Sequence, residues 1–152
     1  MKFFLAFIFI ITSTSASASW SLKREYGNTA IYSSQNHTLL TINHKTTVPK
    51  IKKFSKKLIN KLANDKKKML DFIGVTDWKV TNSNLERSKE ITIITIEGSY
   101  RDNQGEVNYF IEKHFYSSAS KLQILLTNSD LNKINKDATD SHMQGFRIKY
   151  GF

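Results

Sequence analysis

The sequence contains no cysteine, one proline and six glycines among its 152 residues. Without cysteine the chain cannot form disulfides, thiolate nucleophiles, cysteine-ligated metal sites or thiol redox centres. It also lacks the cysteine that a bacterial lipoprotein anchor requires. Stability must therefore come from the packing of a core, and several classes of enzyme and metalloprotein are excluded.

Long apolar runs are missing as well. The longest run, residues 3–11, has nine residues, whereas a membrane-spanning helix needs roughly 20. It follows Met1 and Lys2 and precedes a small, polar segment that ends in Ala16-Ser17-Ala18. This layout is typical of a secretory signal peptide with a small-x-small cleavage site. We expect residues 1–18 to be a cleaved signal peptide and residues 19–152 to form a single exported domain, periplasmic or secreted, without a transmembrane segment.

Acidic residues are scarce relative to basic ones, with 13 Asp and Glu against 23 Lys and Arg, which gives a formal net charge of +10. Such a charge favours association with anionic partners, including membrane surfaces, acidic glycans, acidic proteins and nucleic acids. Export argues against nucleic acid, and so does the lack of exposed aromatic residues interleaved with the lysines. An anionic surface or a protein partner is the remaining expectation.

Strand patterns occupy most of the chain. Residues 29–33 and 37–45 are rich in Thr, Ile and Leu and are separated by a polar turn, which predicts a hairpin. Four further strands are predicted as an antiparallel meander with short links: residues 78–86, 90–100, 106–117 and 121–127. A helix capped by Ser129 or Asp130 follows. The segment 19–29 is a lead-in strand or a tail, and residues 145–152 either add an edge strand or pack their aromatic side chains.

Between the hairpin and the meander, residues 48–73 have the period of an amphipathic helix, or of two short ones. Pro49 suits the first turn, and Gly74 is a natural stop. The predicted buried arc comprises Ile51, Phe54, Leu58, Leu62, Met69, Phe72 and Ile73. Asp65 also falls on this arc.

Nine lysines lie between Lys50 and Lys68. Four of them, spaced so that they share one side of the predicted helix, form the candidate binding surface: Lys53, Lys57, Lys61 and Lys68. We call these four the lysine stripe. The alternative interpretation is a solvated helix face that maintains solubility.

These elements predict an α+β fold: a curved antiparallel sheet made of a hairpin and a four-strand meander, with one helix after the hairpin and another at the C-terminus. The element order, with Trp78-Lys79-Val80 opening the meander, resembles the PsbP-like α+β sandwich family. Cystatin-like and NTF2-like folds also place a helix before a curved sheet and stay open. The PsbP-like resemblance implies an accessory or binding role, and it transfers no functional residue.

Few residue patterns suggest catalysis. Glu112 and His114 are two apart on a predicted strand and therefore share a face, which would suit two metal ligands or a base with its orienting carboxylate. Neither H-E-x-x-H, G-x-S-x-G nor a glycine-rich phosphate loop occurs. Glu97, Glu106 and Glu112 lie on or beside neighbouring strands, where two could form a carboxylate pair. We expect no catalytic residues, no metal site and no cofactor.

The expected function is that of a non-catalytic exported accessory or binding protein that engages an anionic surface or protein partner through the lysine stripe. The alternatives are a small-ligand-binding domain with a sheet–helix pocket and, less favoured, a small hydrolase built on Glu112 and His114. Seven aromatic residues are expected to line that pocket: Trp20, Trp78, Tyr100, Tyr109, Phe110, Phe115 and Tyr116. Asn36-His37-Thr38 is a glycosylation sequon that matters only in a eukaryotic host.

Overall fold

The computed structural model describes residues 20–46, 54–72, 74–118, 120–139 and 141–152. The elements in chain order are β1 (Ser21–Tyr26), β2 (Thr29–Ser33), β3 (Leu39–Lys45), α1 (Lys56–Phe72), β4 (Thr76–Arg87), β5 (Thr92–Arg101), β6 (Val107–Tyr116), β7 (Lys121–Asn128), α2 (Leu131–Ala138) and α3 (Ser141–Lys149). The predicted signal peptide, residues 1–18, lies outside the described residues.

The strands form one open antiparallel sheet in the order β1-β2-β3-β7-β6-β5-β4. The hairpin β2–β3 and the meander β4–β7 are those predicted, and the lead-in segment is a strand that pairs with β2. The two parts join where β3 pairs with β7, with Asn43 opposite Gln123 and Lys45 opposite Lys121. This arrangement confirms the α+β class and the curved antiparallel sheet.

Helix α1 begins at Lys56. The carbonyl of Ser55, just before it, accepts hydrogen bonds from the backbone amides of Leu58 and Ile59. The prediction of 48–73 was longer, and residues 47–53 and 73 lie outside the described residues. Gly74 has a φ of +81° and follows the helix end as expected of a C-terminal stop. The prediction that Phe72 is buried was wrong: it is the last residue of α1 and is 92% exposed.

Both faces of the sheet are buried along β6. Phe110 and Tyr116 pack with Ile59 of α1, and with Ile94 and Ile96 of β5, on one face. On the other face a second cluster surrounds the inner side of α2: Leu40, Ile42, Ile111, Phe115, Leu122, Ile124, Leu126, Ile134 and Met143. The fold is therefore three layers, with α1 on one side of the sheet and α2 and α3 on the other.

The C-terminal elements complete the second layer. The Asp130 side chain caps α2 by accepting bonds from the amides of Asn132 and Lys133, as predicted. Residues 145–152 do not add an edge strand. They form the last part of α3 and the turn after it. Phe146, Tyr150 and Phe152 pack on the core. Of the two alternatives for this segment, aromatic packing is correct.

Helix α2 is tied to the β2–β3 turn by polar contacts. The Asp137 carboxylate is fully buried and accepts bonds of 2.7 Å from Ser34 Oγ and from Asn36 Nδ2. Asn36 is the sequon residue, and its amide nitrogen is already used in this contact.

We predict that Gly98→Ala strongly destabilises the fold. A Cβ at Gly98 would lie 2.0 Å from the Lys79 carbonyl oxygen and 2.7 Å from the Phe110 ring, which stacks on Trp78 at 4.0 Å. Overpacking typically costs about 1–3 kcal/mol, and contact with backbone places this variant at the upper end. Urea denaturation measures the loss of unfolding free energy.

The matched control is Gly145→Ala. Gly145 lies in α3, and the position that a Cβ would take there has no neighbouring atom within 4 Å. Ala is favoured over Gly in a helix by roughly 0.5–1 kcal/mol, so this variant should be neutral or slightly more stable. Equal urea midpoints for the two variants would contradict the close approach at Gly98.

Candidate functional site

A polar cleft opens where α1 stops covering the sheet. It has a volume of about 530 Å³ and lies between α1 and strands β2, β3, β7 and β6. Its lining residues are Thr29, Thr41, Asn43, Lys45, Leu62, Asp65, Lys66, Glu112, His114, Lys121, Gln123 and Leu125. We call it the basic cleft. Its volume lies within the range of roughly 300–1,000 Å³ that is usual for small-molecule sites.

Strand register brings the polar residues together. Glu112 lies opposite Leu125 and His114 lies opposite Gln123 across the β6–β7 ladder. Gln123 in turn lies opposite Asn43 of β3. Because cross-strand partners share a face, one row of polar side chains runs across three strands and forms the floor. Lys66 and Leu62 of α1 form the wall.

Glu112 is the buried anion of the floor, with only 3% of its surface exposed. Its Oε1 accepts hydrogen bonds from His114 Nε2, at 3.1 Å, and from Gln123 Nε2, and its Oε2 lies 3.8 Å from Lys66 Nζ. Burial alone would raise the pKa of the Glu112 carboxyl, but the hydrogen bond and charge of His114, the charge of Lys66 and the hydrogen bond of Gln123 outweigh burial and lower the pKa below its ordinary value. Glu112 is therefore ionised.

His114 is the neutral partner. Burial lowers the pKa of its imidazole, and although Glu112 opposes this, the charges of Lys121 and Lys66 add to the lowering. At neutral pH the ring therefore holds one proton, on the Nε2 that donates to Glu112. At neutral pH Glu112 is therefore held by the N–H donors and by Lys66, and the charge of His114 contributes once that ring is protonated. His114 Nδ1 is buried and has no hydrogen-bond partner among the described residues.

Lys45 and Lys121 lie directly opposite each other on β3 and β7. Neither makes an ion pair within the described residues, while Lys121 Nζ lies 5.2 Å from the centre of the Tyr116 ring. Burial lowers the pKa of the Lys121 ammonium, and the neighbouring charges of Lys45 and Lys66 lower it further against the opposing effect of Glu112. Burial also raises the pKa of the Tyr116 hydroxyl to about 12, helped by Glu112.

The lysine stripe does not belong to this cleft. Lys57, Lys61 and Lys68 are exposed on the outer side of α1, and Lys53 lies outside the described residues. The lysines that converge on the cleft are Lys45, Lys66 and Lys121, which the sequence interpretation did not select. A signal existed for Lys66: at 100° per residue it falls inside the apolar arc of α1, as Asp65 does.

The seven aromatic residues expected to line such a pocket lie in the two cores, and none of them lines the basic cleft. Trp78, Tyr100, Phe110 and Tyr116 belong to the α1 side. Trp20, Tyr109 and Phe115 belong to the side of α2 and α3. A sheet–helix pocket is present, as the small-ligand alternative requires, and ten of its twelve lining residues carry a polar or charged group.

The predicted carboxylate pair is not formed. Glu97 lies opposite Ile111 and Glu112 lies opposite Ile96, so the two carboxylates are on opposite faces of the sheet. Glu106 is exposed in the β5–β6 turn. The prediction that two of these residues could meet was therefore wrong, because the side-chain alternation of the strands separates them.

The Glu112–His114 pair lies in a cleft, but its geometry is that of a hydrogen-bonded floor. Within the described residues no hydroxyl group bonds to either nitrogen of His114. The same residues contain no cluster of three or more His, Asp or Glu that could hold a metal ion.

No family model matches the chain, and no curated protein matches it significantly. In the part of the chain that the structure describes, no helix is both long and apolar enough to cross a bilayer.

We predict that the protein loses stability on mild acidification and that His114 is a main cause. The folded pKa of His114 lies below its unfolded value of about 6.5. Between the two values the unfolded chain binds a proton that the folded chain does not, so stability falls as the pH drops below about 6.5. The lowered pKa of Glu112 adds a second loss, below about 4.5. Urea midpoints measured from pH 7 to pH 5 should decline.

His114→Gln should flatten this decline, since Gln can donate to Glu112 but does not titrate. His37→Asn is the control, because His37 is exposed with a φ of +63° that Asn tolerates. A decline that persists unchanged in the His114 variant would show that other groups cause it.

Proposed function

We propose that the protein is an exported, non-catalytic binding protein whose ligand is a small organic anion held in the basic cleft. Export is supported by the pattern of residues 1–18. The anionic character of the ligand is supported by Lys45 and Lys121, since Lys66 is paired with Glu112, and the lining holds three lysines against two carboxylates, Asp65 and Glu112. Its polar, hydroxyl-bearing character is supported by Thr29, Thr41, Asn43 and Gln123, which line the same cleft.

The observation that carries the proposal is the Lys45–Lys121 pair. Like charges directly opposite across a ladder destabilise a sheet, and here neither lysine has a carboxylate within ion-pair distance among the described residues. An anion between the two ammonium groups would remove their repulsion and favour the charged form of Lys121. Within the folded chain the Tyr116 ring and the charge of Glu112 offset part of this repulsion, and an anionic ligand would offset it further.

The floor of the cleft suits recognition better than reaction. Glu112 Oε1 accepts hydrogen bonds from His114 and Gln123, and Oε2 lies 3.8 Å from Lys66 Nζ, so its negative charge is already paired within the floor. The remaining amide and hydroxyl groups can exchange hydrogen bonds with a hydroxylated ligand. Uronic acids and hydroxy acids combine a carboxylate with hydroxyl groups and fit this lining.

We predict that Lys45→Gln/Lys121→Gln abolishes anion binding. A charge-assisted hydrogen bond contributes about 1.5–3 kcal/mol, so each lost lysine should weaken affinity by roughly tenfold or more. Galacturonate is the probe and galactose its uncharged counterpart, both titrated by calorimetry against the wild-type protein.

The matched control is Lys57→Gln/Lys61→Gln, which removes the same charge from the outer side of α1. This variant should keep wild-type affinity for galacturonate. An equal loss in both double variants would mean that only net charge matters. Equal binding of galactose and galacturonate would refute an anion site.

The lysine stripe supports a second candidate function, attachment to an anionic lipid surface. Lys57, Lys61 and Lys68 are exposed and make no ion pair among the described residues. Each lysine near such a surface contributes about 1 kcal/mol. In this function α1 would lie along the membrane with its outer side toward the headgroups, while the basic cleft stays open at its flank.

We predict that Lys57→Glu/Lys61→Glu weakens binding to vesicles that contain phosphatidylglycerol, with the loss growing as salt is lowered. Co-sedimentation measures it. Lys45→Gln/Lys121→Gln serves as the reverse control and should sediment like the wild type. Salt-independent sedimentation, or none at all, would exclude the lysine stripe as a membrane contact.

A further inference from the structure

A second pocket lies on the opposite face of the sheet, at the edge of α2 and α3. It has a volume of about 290 Å³, close to the lower limit of about 300 Å³ for small-molecule sites. Its floor is apolar and comes from three strands and α3: Ile93, Phe115, Ile124 and Met143. We call it the Arg147 pocket, after the cation at its side.

Arg147 reaches this pocket from α3 with its guanidinium carbon 4.9 Å from the centre of the Phe115 ring. Its Nε is buried and has no hydrogen-bond partner within the described residues. Buried donors of this kind are nearly always paired in folded proteins. Stacking on Phe115 holds the guanidinium plane in place at the side of the pocket that Arg147 lines.

A second cation borders the same pocket. Lys113 projects from β6 between Thr95 and Ile124 of the flanking strands, is half-buried, and has no carboxylate within ion-pair distance among the described residues. Glu86 is the one acidic residue of the lining that the structure describes, and it lies exposed at the β4 edge. Two cations above an apolar floor form an amphipathic site.

We propose that the Arg147 pocket binds a small carboxylate with an apolar body. The carboxylate accepts from the guanidinium of Arg147, whose planar fork matches its two oxygens, and lies near Lys113. The apolar body rests on Phe115, Ile124 and Met143. This site is separate from the basic cleft, which has a polar floor and lies on the other face of the sheet.

The experiment uses benzoate and hexanoate as probes, with benzyl alcohol and hexanol as uncharged counterparts and inorganic phosphate as an anion without an apolar body. Methyl NMR locates the bound probe through the resonances of Met143, Ile93 and Ile124. We expect the two carboxylates to shift these methyl signals and the alcohols and phosphate to leave them nearly unchanged.

Arg147→Met should weaken benzoate binding by roughly 10- to 100-fold, the equivalent of one charge-assisted hydrogen bond. Arg147→Lys keeps the charge and the aliphatic stem and should give a smaller loss of benzoate affinity. This variant still tests the proposal if the Met variant folds poorly. Lys136→Met is the control, because Lys136 is exposed on α2 and should not affect binding.

Three results would overturn the proposal: equal binding of benzoate and benzyl alcohol, unchanged affinity in both Arg147 variants, or benzoate shifts confined to the basic cleft. The Lys45→Gln/Lys121→Gln protein separates the two sites, since it should bind benzoate like the wild type. Failure of galacturonate binding would leave this result untouched.

Discussion

The structure depends on one constraint: the central strands of a seven-stranded sheet bury apolar side chains on both faces, and each of these apolar areas needs a cover. Strands lie about 4.8 Å apart, so seven of them span about 29 Å, whereas a helix with its side chains is only about 10–12 Å wide. One helix can therefore cover two or three strands. On its face α1 packs over β4 and β5 and reaches β6, and the sheet beyond it must be compatible with water.

The side chains of that face change character where the cover ends. Ile94, Ile96 and Phe110 lie beneath α1 and are almost fully buried. One or two strands further, Gln123, Asn43 and Thr41 occupy the same face. Glu112 and His114 lie on the boundary. Burial of an ion there costs several kcal/mol, which the donors of His114 and Gln123 and the charge of Lys66 offset.

Much of this fold could be predicted from local patterns. Periodicity and turn residues locate the hairpin, the meander and the helices, and the period of two places Glu112 and His114 on one face. The pairing of β3 with β7 could not be predicted, because the two strands are distant in the chain and no local pattern indicates that they pair. Lys45 and Lys121 become neighbours only through that pairing. The strands over which α1 lies could not be predicted either. The lysine stripe was therefore chosen over Lys66 only because its lysines were expected to be exposed.

The two open regions of the sheet are diagonal to each other. On one face α1 covers β4 to β6 and leaves β7, β3 and β2 open, where the basic cleft lies. On the other face α2 packs on β7 and β6, and the Arg147 pocket opens toward β5 and β4. Each helix layer thus covers the half of the sheet that the other leaves bare. Strand β6 is covered on both faces, and it supplies Glu112 and His114 to one site and Lys113 and Phe115 to the other. Because these side chains alternate along one strand, the two sites share a backbone but no side chain, and neither ligand would block the other.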